Sequence, residues 1–134
     1  MRITRQAVSP LAFSSSPESF FDSNILVDSN LGDLVYVSSS EYVRKIDISI
    51  QSKMPAVGMI VERNENICRI QSSGIVKDIY YGLVPGHTYF ADCNSRLTDT
   101  PPSGLGCFVQ KIGIALDSDT LLLSGSDFIL RRAQ

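Results

Sequence analysis

An all-β fold is predicted, a compact sandwich or barrel-like domain of about nine short strands preceded by an extended N-terminal arm. Three observations predict it. Short apolar runs recur between turn-forming residues from Asn24 onward, the cleanest run alternates large and small side chains over ten positions, and no stretch keeps an apolar stripe at helical spacing for long. A chain of 134 residues and 14.7 kDa suits one domain with a core of its own.

Residues 1–24 stand apart as the arm. Ser9-Pro10, Ser14-Ser15-Ser16-Pro17 and Ser19 favour turns and extended backbone, while Phe13, Phe20 and Phe21 follow neither a helical nor a strand period. The sequence allows two placements for them: across the surface of a partner, or packed on the chain's own domain. Residues 25–134 form the β-rich domain. Ile25–Val27 and Leu34–Val37 flank a turn at Ser29-Asn30-Leu31-Gly32-Asp33. Tyr42–Ile50 alternates only in part and is compatible with a strand or a helical turn, which Pro55 would end in any case. Val57–Arg63 and Asn66–Gln71 make a hairpin around Asn64-Glu65.

Ser73–Tyr81 is expected as a further strand, followed by Val84-Pro85-Gly86-His87 as a type II turn with Pro second and Gly third. Cys107–Leu116 is the clearest strand, with Phe108, Gln110, Ile112, Ile114 and Leu116 on one face and smaller residues on the other. Asp117-Ser118-Asp119 turns the chain into Thr120–Ser124, and Phe128–Arg131 is a last candidate. Gly58 and Gly113 inside strands mark a close approach of a neighbouring backbone or a bulge.

Charge and composition narrow the function. Twelve Lys and Arg against fourteen Asp and Glu give a net charge of −2, which argues against a nucleic-acid binder relying on neutralised phosphates. No run approaches a membrane span, and the first residues lack the apolar segment of an export signal. Three cysteines, Cys68, Cys93 and Cys107, cannot all pair within the chain and are expected as free buried thiols of a protein folded in a reducing cytoplasm.

Catalytic material is thin. His87 is the single histidine, follows a Pro-Gly turn, and is expected as a surface or cross-strand residue rather than a base; no Gly-x-Ser-x-Gly elbow is present. Asp92, Asp99, Asp117 and Asp119 would have to converge for paired-carboxylate hydrolysis, but aspartates in such positions ordinarily solvate turns. Cys68, Cys93, Cys107 and His87 lack the close pairing of structural zinc ligands. Asp92-Cys93-Asn94 opens like a calcium loop, but Ser103 stands where the closing glutamate belongs. No catalytic residue, cofactor or metal is therefore assigned.

Four pieces carry a resemblance: Gly32-Asp33-Leu34-Val35-Tyr36-Val37; Met54-Pro55-Ala56-Val57-Gly58-Met59-Ile60; Tyr81-Gly82-Leu83-Val84-Pro85-Gly86-His87-Thr88-Tyr89-Phe90; and Val109–Leu116 leading into Thr120-Leu121-Leu122-Leu123. With the Thr/Pro/Gly loop at 97–104, they make the stretch Leu31–Ser124 resemble a strand-rich module of tailed-bacteriophage virion proteins, both capsid cement (decoration, head-fibre) proteins and tail-fibre appendages. The resemblance implies a structural, non-enzymatic protein on the virion capsid surface, made in the host cytoplasm. It also implies a homotrimer bound to the major capsid protein lattice. The alternative is a tail-associated fibre, adaptor or receptor-binding protein held by tail or baseplate proteins, with the loops near 94–96 and 98–104 meeting a host glycan or protein. The resemblance does not cover residues 1–24, so Phe13, Phe20 and Phe21 are the expected partner-binding residues of the arm.

Overall fold

Leu34 and Val35 are neighbours in sequence and both are fully buried; so are Met59 and Ile60. In a strand, adjacent side chains point to opposite faces, so each pair must fill an interior on either side of one sheet. The computed structural model, which describes residues 19–24, 29–39, 42–65, 67–124 and 129–131, shows the two interiors. The larger gathers Leu34, Ile46, Ile48, Met54, Met59, Val76, Tyr89, Ile112, Leu121 and Leu123 among others. The smaller holds Val35, Val43, Ile60, Cys68 and Ile70, with Val57 against it.

Among the described residues the fold is all-β and has no α-helix. Its strands are β1 (Ser19–Asn24), β2 (Leu34–Ser39), β3 (Tyr42–Lys45), β4 (Gly58–Asn64), β5 (Ile67–Lys77), β6 (Thr88–Ala91), β7 (Leu97–Thr98), β8 (Phe108–Asp117), β9 (Thr120–Ser124) and β10 (Ile129–Arg131), with one 3-10 turn at Gln51–Lys53. The strands join in a curled, half-barrel sheet in the order β1-β3-β2-β4-β5-β9-β8-β6-β7, and β10 adds to β8. Pairing is antiparallel apart from β1 with β3. Because β1 also pairs along β5, the pairings β1-β3-β2-β4-β5-β1 return on themselves, and the smaller core is the lining of that ring.

The long strand β5 connects the two interiors. Its first part, Ile67–Gln71, lies between β4 and β1, whereas Ser73–Lys77 pairs with β9. Ile70 and Val76 would share a face under strict alternation, yet they line different cores. The strand changes face at Gly74, whose φ of +97° is costly for a residue with a Cβ. The Gln71 amide holds this irregularity by donating to the Ser73 and Ile75 carbonyls, both at 3.0 Å. The expected strand Ser73–Tyr81 is thus the second half of β5, and it stops at Lys77 because Asp78 takes a positive φ of 64° and leaves the sheet.

The predicted 64–65 hairpin is present, as are the 117–119 turn and a strand at 129–131. Gly86 has φ +86°, and the His87 amide donates to the Val84 carbonyl at 3.0 Å, which is the expected type II arrangement. Tyr42–Ile50 resolves into β3 followed by turns, and the expected strand at 25–27 lies outside the described residues. At Gly113 the sequence signal means contact: a Cβ there would lie 2.2 Å from the Leu122 carbonyl oxygen. At Gly58 it would lie 2.7 Å from the Gln71 carbonyl oxygen.

In β8 the expected two faces are not kept. Ile112 and Ala115 enter the same core, and Leu116 is 49% exposed. The register against β6 skips a residue between Gly113 and Lys111, and that against β9 shifts between Ala115 and Asp117, so alternation cannot run the length of the strand. Gln110, expected among large apolar neighbours, is 1% exposed because its amide both accepts from the Ala56 N–H at 2.9 Å and donates to the Ala56 carbonyl at 2.8 Å. A side chain thereby supplies the two bonds that a neighbouring strand would give to segment 54–57.

Candidate attachment surface

The six residues of β1 are hydrogen-bonded into the sheet along β5, with Phe20 opposite Gln71, Phe21 opposite Ile70, Asp22 opposite Arg69 and Ser23 opposite Cys68. Directly opposed residues share a face, so Phe20 and Asp22 stand on one side of the sheet and Phe21 on the other. Phe20 is 45% and Phe21 38% exposed. Of the three expected arm residues, two are therefore half-exposed on a strand of the domain, while Phe13 lies outside the described residues.

Charge surrounds Phe20. In register across β4, β5 and β1, Arg69 reaches Glu62 at 3.5 Å on one side and Asp22 at 3.2 Å on the other, and its guanidinium carbon lies 5.7 Å from the Phe20 ring centroid. All three charged side chains are well exposed, so the ion pairs contribute at most about 1 kcal/mol each. Their main effect is orientation: the bridged guanidinium limits where the Phe20 ring can lie. On the other face the Cys68 thiol donates to the Ser23 carbonyl at 3.5 Å, and burial pushes its pKa up. Of the three cysteines expected as buried thiols only Cys68 is buried; Cys93 is exposed on a turn tip and Cys107 half-buried, and all three are free.

The other residues singled out by type occupy separate places. His87 Nδ1 lies 3.3 Å from Asp99 Oδ2 on the surface, both side chains largely exposed. Asp92 accepts the Asn94 and Arg96 amides at 2.7 and 2.8 Å, Asp117 accepts the Ser118 amide, and Asp119 accepts the Thr120 hydroxyl. Each carboxylate thus closes its own turn. Among the described residues no group of three or more His, Cys, Asp or Glu side chains lies together to hold a metal, and no helix is long and apolar enough to cross a membrane.

One node was hidden from pattern reading. Arg96 bridges to Asp33 at 2.9 Å, donates to the Leu31 carbonyl at 3.2 Å, and covers the Tyr80 ring with its guanidinium 4.8 Å from the centroid. Tyr80 in turn donates to the Gly32 carbonyl at 2.6 Å. The node fastens the 29–33 turn to the β6–β7 hairpin, and a salt bridge spanning 63 positions leaves no local trace in the sequence.

No protein-family model, curated protein or solved structure matches this chain. Function must be read from the surfaces. The β1 flank carries its two phenylalanines, among other exposed apolar side chains such as Leu105, Tyr81 and Val37, and a polar groove lies where the turn between β6 and β7 meets β2 and β3.

Proposed function

We propose that this chain is a structural protein of a tailed-bacteriophage virion. It binds the outer capsid surface as a decoration or cement protein, as a homotrimer on the major capsid protein lattice, and makes or breaks no bond. Phe20 and Phe21 carry the proposal: two aromatic rings stand half-exposed on opposite faces of a strand that is paired along β5. Each ring contributes about 25 cal/mol for every Å² of apolar area covered on docking. Three copies engaging one lattice site together would raise overall affinity by roughly 10² to 10⁴ over one copy.

Because β1 closes the ring around the smaller core, removing residues 1–24 would disrupt the fold as well as the docking surface. The test is therefore the double substitution Phe20→Ser, Phe21→Ser, assayed by co-sedimentation with phage heads that lack the protein. The variant is expected to stay folded and to lose head association, and undiminished association overturns the proposal. Gold labelling of whole particles separates the alternative, in which the chain is a tail fibre, adaptor or receptor-binding protein: label over the head supports decoration, and label confined to one vertex supports the tail. The groove beside Asn94 favours that second placement, since it lies at the loop expected to meet a host ligand.

A further inference from the structure

The polar groove has a volume of about 700 Å³, inside the roughly 300–1,000 Å³ of ordinary small-ligand sites. Tyr36 on β2, Arg44 and Lys45 on β3, Asp47, Lys53 from the 3-10 turn and Asn94 from the β6–β7 turn line it. Three cations thus face one carboxylate in a chain whose net charge is −2. That carboxylate is hydrogen-bonded to its own turn, Asp47 Oδ1 accepting from the Ser49 amide at 3.0 Å and from the Ser49 hydroxyl at 2.6 Å, and these bonds together with the charge of Lys53 hold its pKa down. Among the described residues neither Arg44 nor Lys53 has a carboxylate within ion-pair distance.

The walls are set before any ligand arrives. Ser95 is buried with φ +63°; its hydroxyl donates to the Ile46 carbonyl at 2.7 Å, and its carbonyl accepts the Leu34 amide at 2.7 Å. Asp92 closes the same turn from inside, leaving Cys93 and Asn94 exposed at the tip. Tyr36 and Arg44 are directly opposed on β2 and β3, so ring and guanidinium share a face. The backbone of the walls is thus fixed, and the ordering left for binding is that of the exposed side chains that would touch the ligand.

We propose that this groove binds a small acidic saccharide, with Arg44 and Lys53 taking its carboxylate or phosphate group and Tyr36 and Asn94 meeting its ring. A guanidinium and an ammonium suit a single anionic group, while an aromatic face and an amide suit a hydroxylated ring. A polyanion tracked along its backbone would instead need a continuous basic strip on a positively charged protein. The proposal does not rest on the decoration reading, because the site lies on β2, β3 and the β6–β7 turn rather than on β1.

Calorimetric titration of the full chain with a uronic-acid disaccharide, its carboxyl-reduced neutral counterpart, glucose 6-phosphate and inorganic phosphate tests it. At least one acidic sugar is expected to bind about ten-fold more tightly than the neutral disaccharide and than inorganic phosphate. Arg44→Gln and Lys53→Gln are each expected to weaken that binding by about ten-fold. Both residues are exposed, so the thermal midpoint should hold. The carboxylate and phosphate arms show which anionic group is preferred. Equal affinity for the neutral sugar, inorganic phosphate binding as well as any sugar, unaltered binding by both variants, or no binding by any probe overturns it. Phe20→Ser, Phe21→Ser should bind the sugar normally, which separates failure here from failure of the capsid assignment.

Discussion

The two cores solve burial differently. The smaller is a ring of strands lined by Val35, Val43, Ile60, Ile70 and the Cys68 thiol, and alternation along the strands suffices to fill it. The larger is covered partly by non-strand segments, 46–56 and 83–87, whose backbone meets strands at scattered points only, such as the Ile46 amide on the Leu34 carbonyl and the Gly86 amide on the Ala115 carbonyl, and needs partners elsewhere for other groups. Side chains take that role: Gln110 for Ala56, Ser95 for Ile46, and the Tyr89 hydroxyl accepting the Val84 amide at 3.0 Å. A core walled by strands needs apolar residues at the right period, whereas a core walled by loops also needs particular polar atoms at particular points.

The largest expected effect comes from Gly113, where β8 passes between β6 and β9. Gly113→Val places atoms well inside contact distance of the Leu122 carbonyl, and a loss above about 4 kcal/mol is expected, read as absence of a folded state by circular dichroism. A near-normal melting curve would show that the β8–β9 contact can open without cost.

Next come Met59→Ala and Ile60→Ala, adjacent residues that serve opposite cores. Each should cost about 2–5 kcal/mol in chemical denaturation. Since β2 and β4 wall both interiors, each variant is expected to show one transition by every probe. An early separate step in Ile60→Ala alone would mean that the ring opens independently, and would sharpen the contrast into two folding units.

The smallest effect tests the polar fastening. Burial raises the pKa of Tyr80, whose hydroxyl is bonded to Gly32. With the folded pKa above the unfolded one, the stabilisation is full below the unfolded tyrosine value near 10 and is lost as pH rises through that value toward the folded one. Tyr80→Phe should lose about 1 kcal/mol at neutral pH and flatten the decline above about pH 10, measured by melting temperature against pH. An unchanged alkaline slope would assign the decline to other groups.

Legibility in the sequence follows the same division. The strand class, the 64–65 hairpin, the Pro85-Gly86 turn and the close contact at Gly113 come from local rules: alternation, turn chemistry and the absence of a Cβ. The two-sided burial was available in the adjacent apolar pairs Leu34-Val35 and Met59-Ile60, which a half-solvated strand would not contain. The break of face within β8, the Gln110 bridge and the Arg96–Asp33–Tyr80 node were not available, because each depends on partners tens of positions away. The phenylalanines at 20 and 21 were visible as irregular aromatics, but their hydrogen-bonded seat against β5 was not. The basic groove was missed because Arg44, Lys45 and Lys53 look like dispersed surface charges until the turn at 92–96 closes over them.

Sharing β2 and β4 between both interiors has a consequence during synthesis. The ring cannot shut until β5 has left the ribosome to receive β1, some fifty positions after β1 itself, and the opposite side of the same strands stays bare until β8 and β9 follow. For much of translation, the nascent polypeptide must carry Leu34, Val35, Met59 and Ile60 uncovered on at least one side, which makes emergence from the tunnel its most aggregation-prone moment.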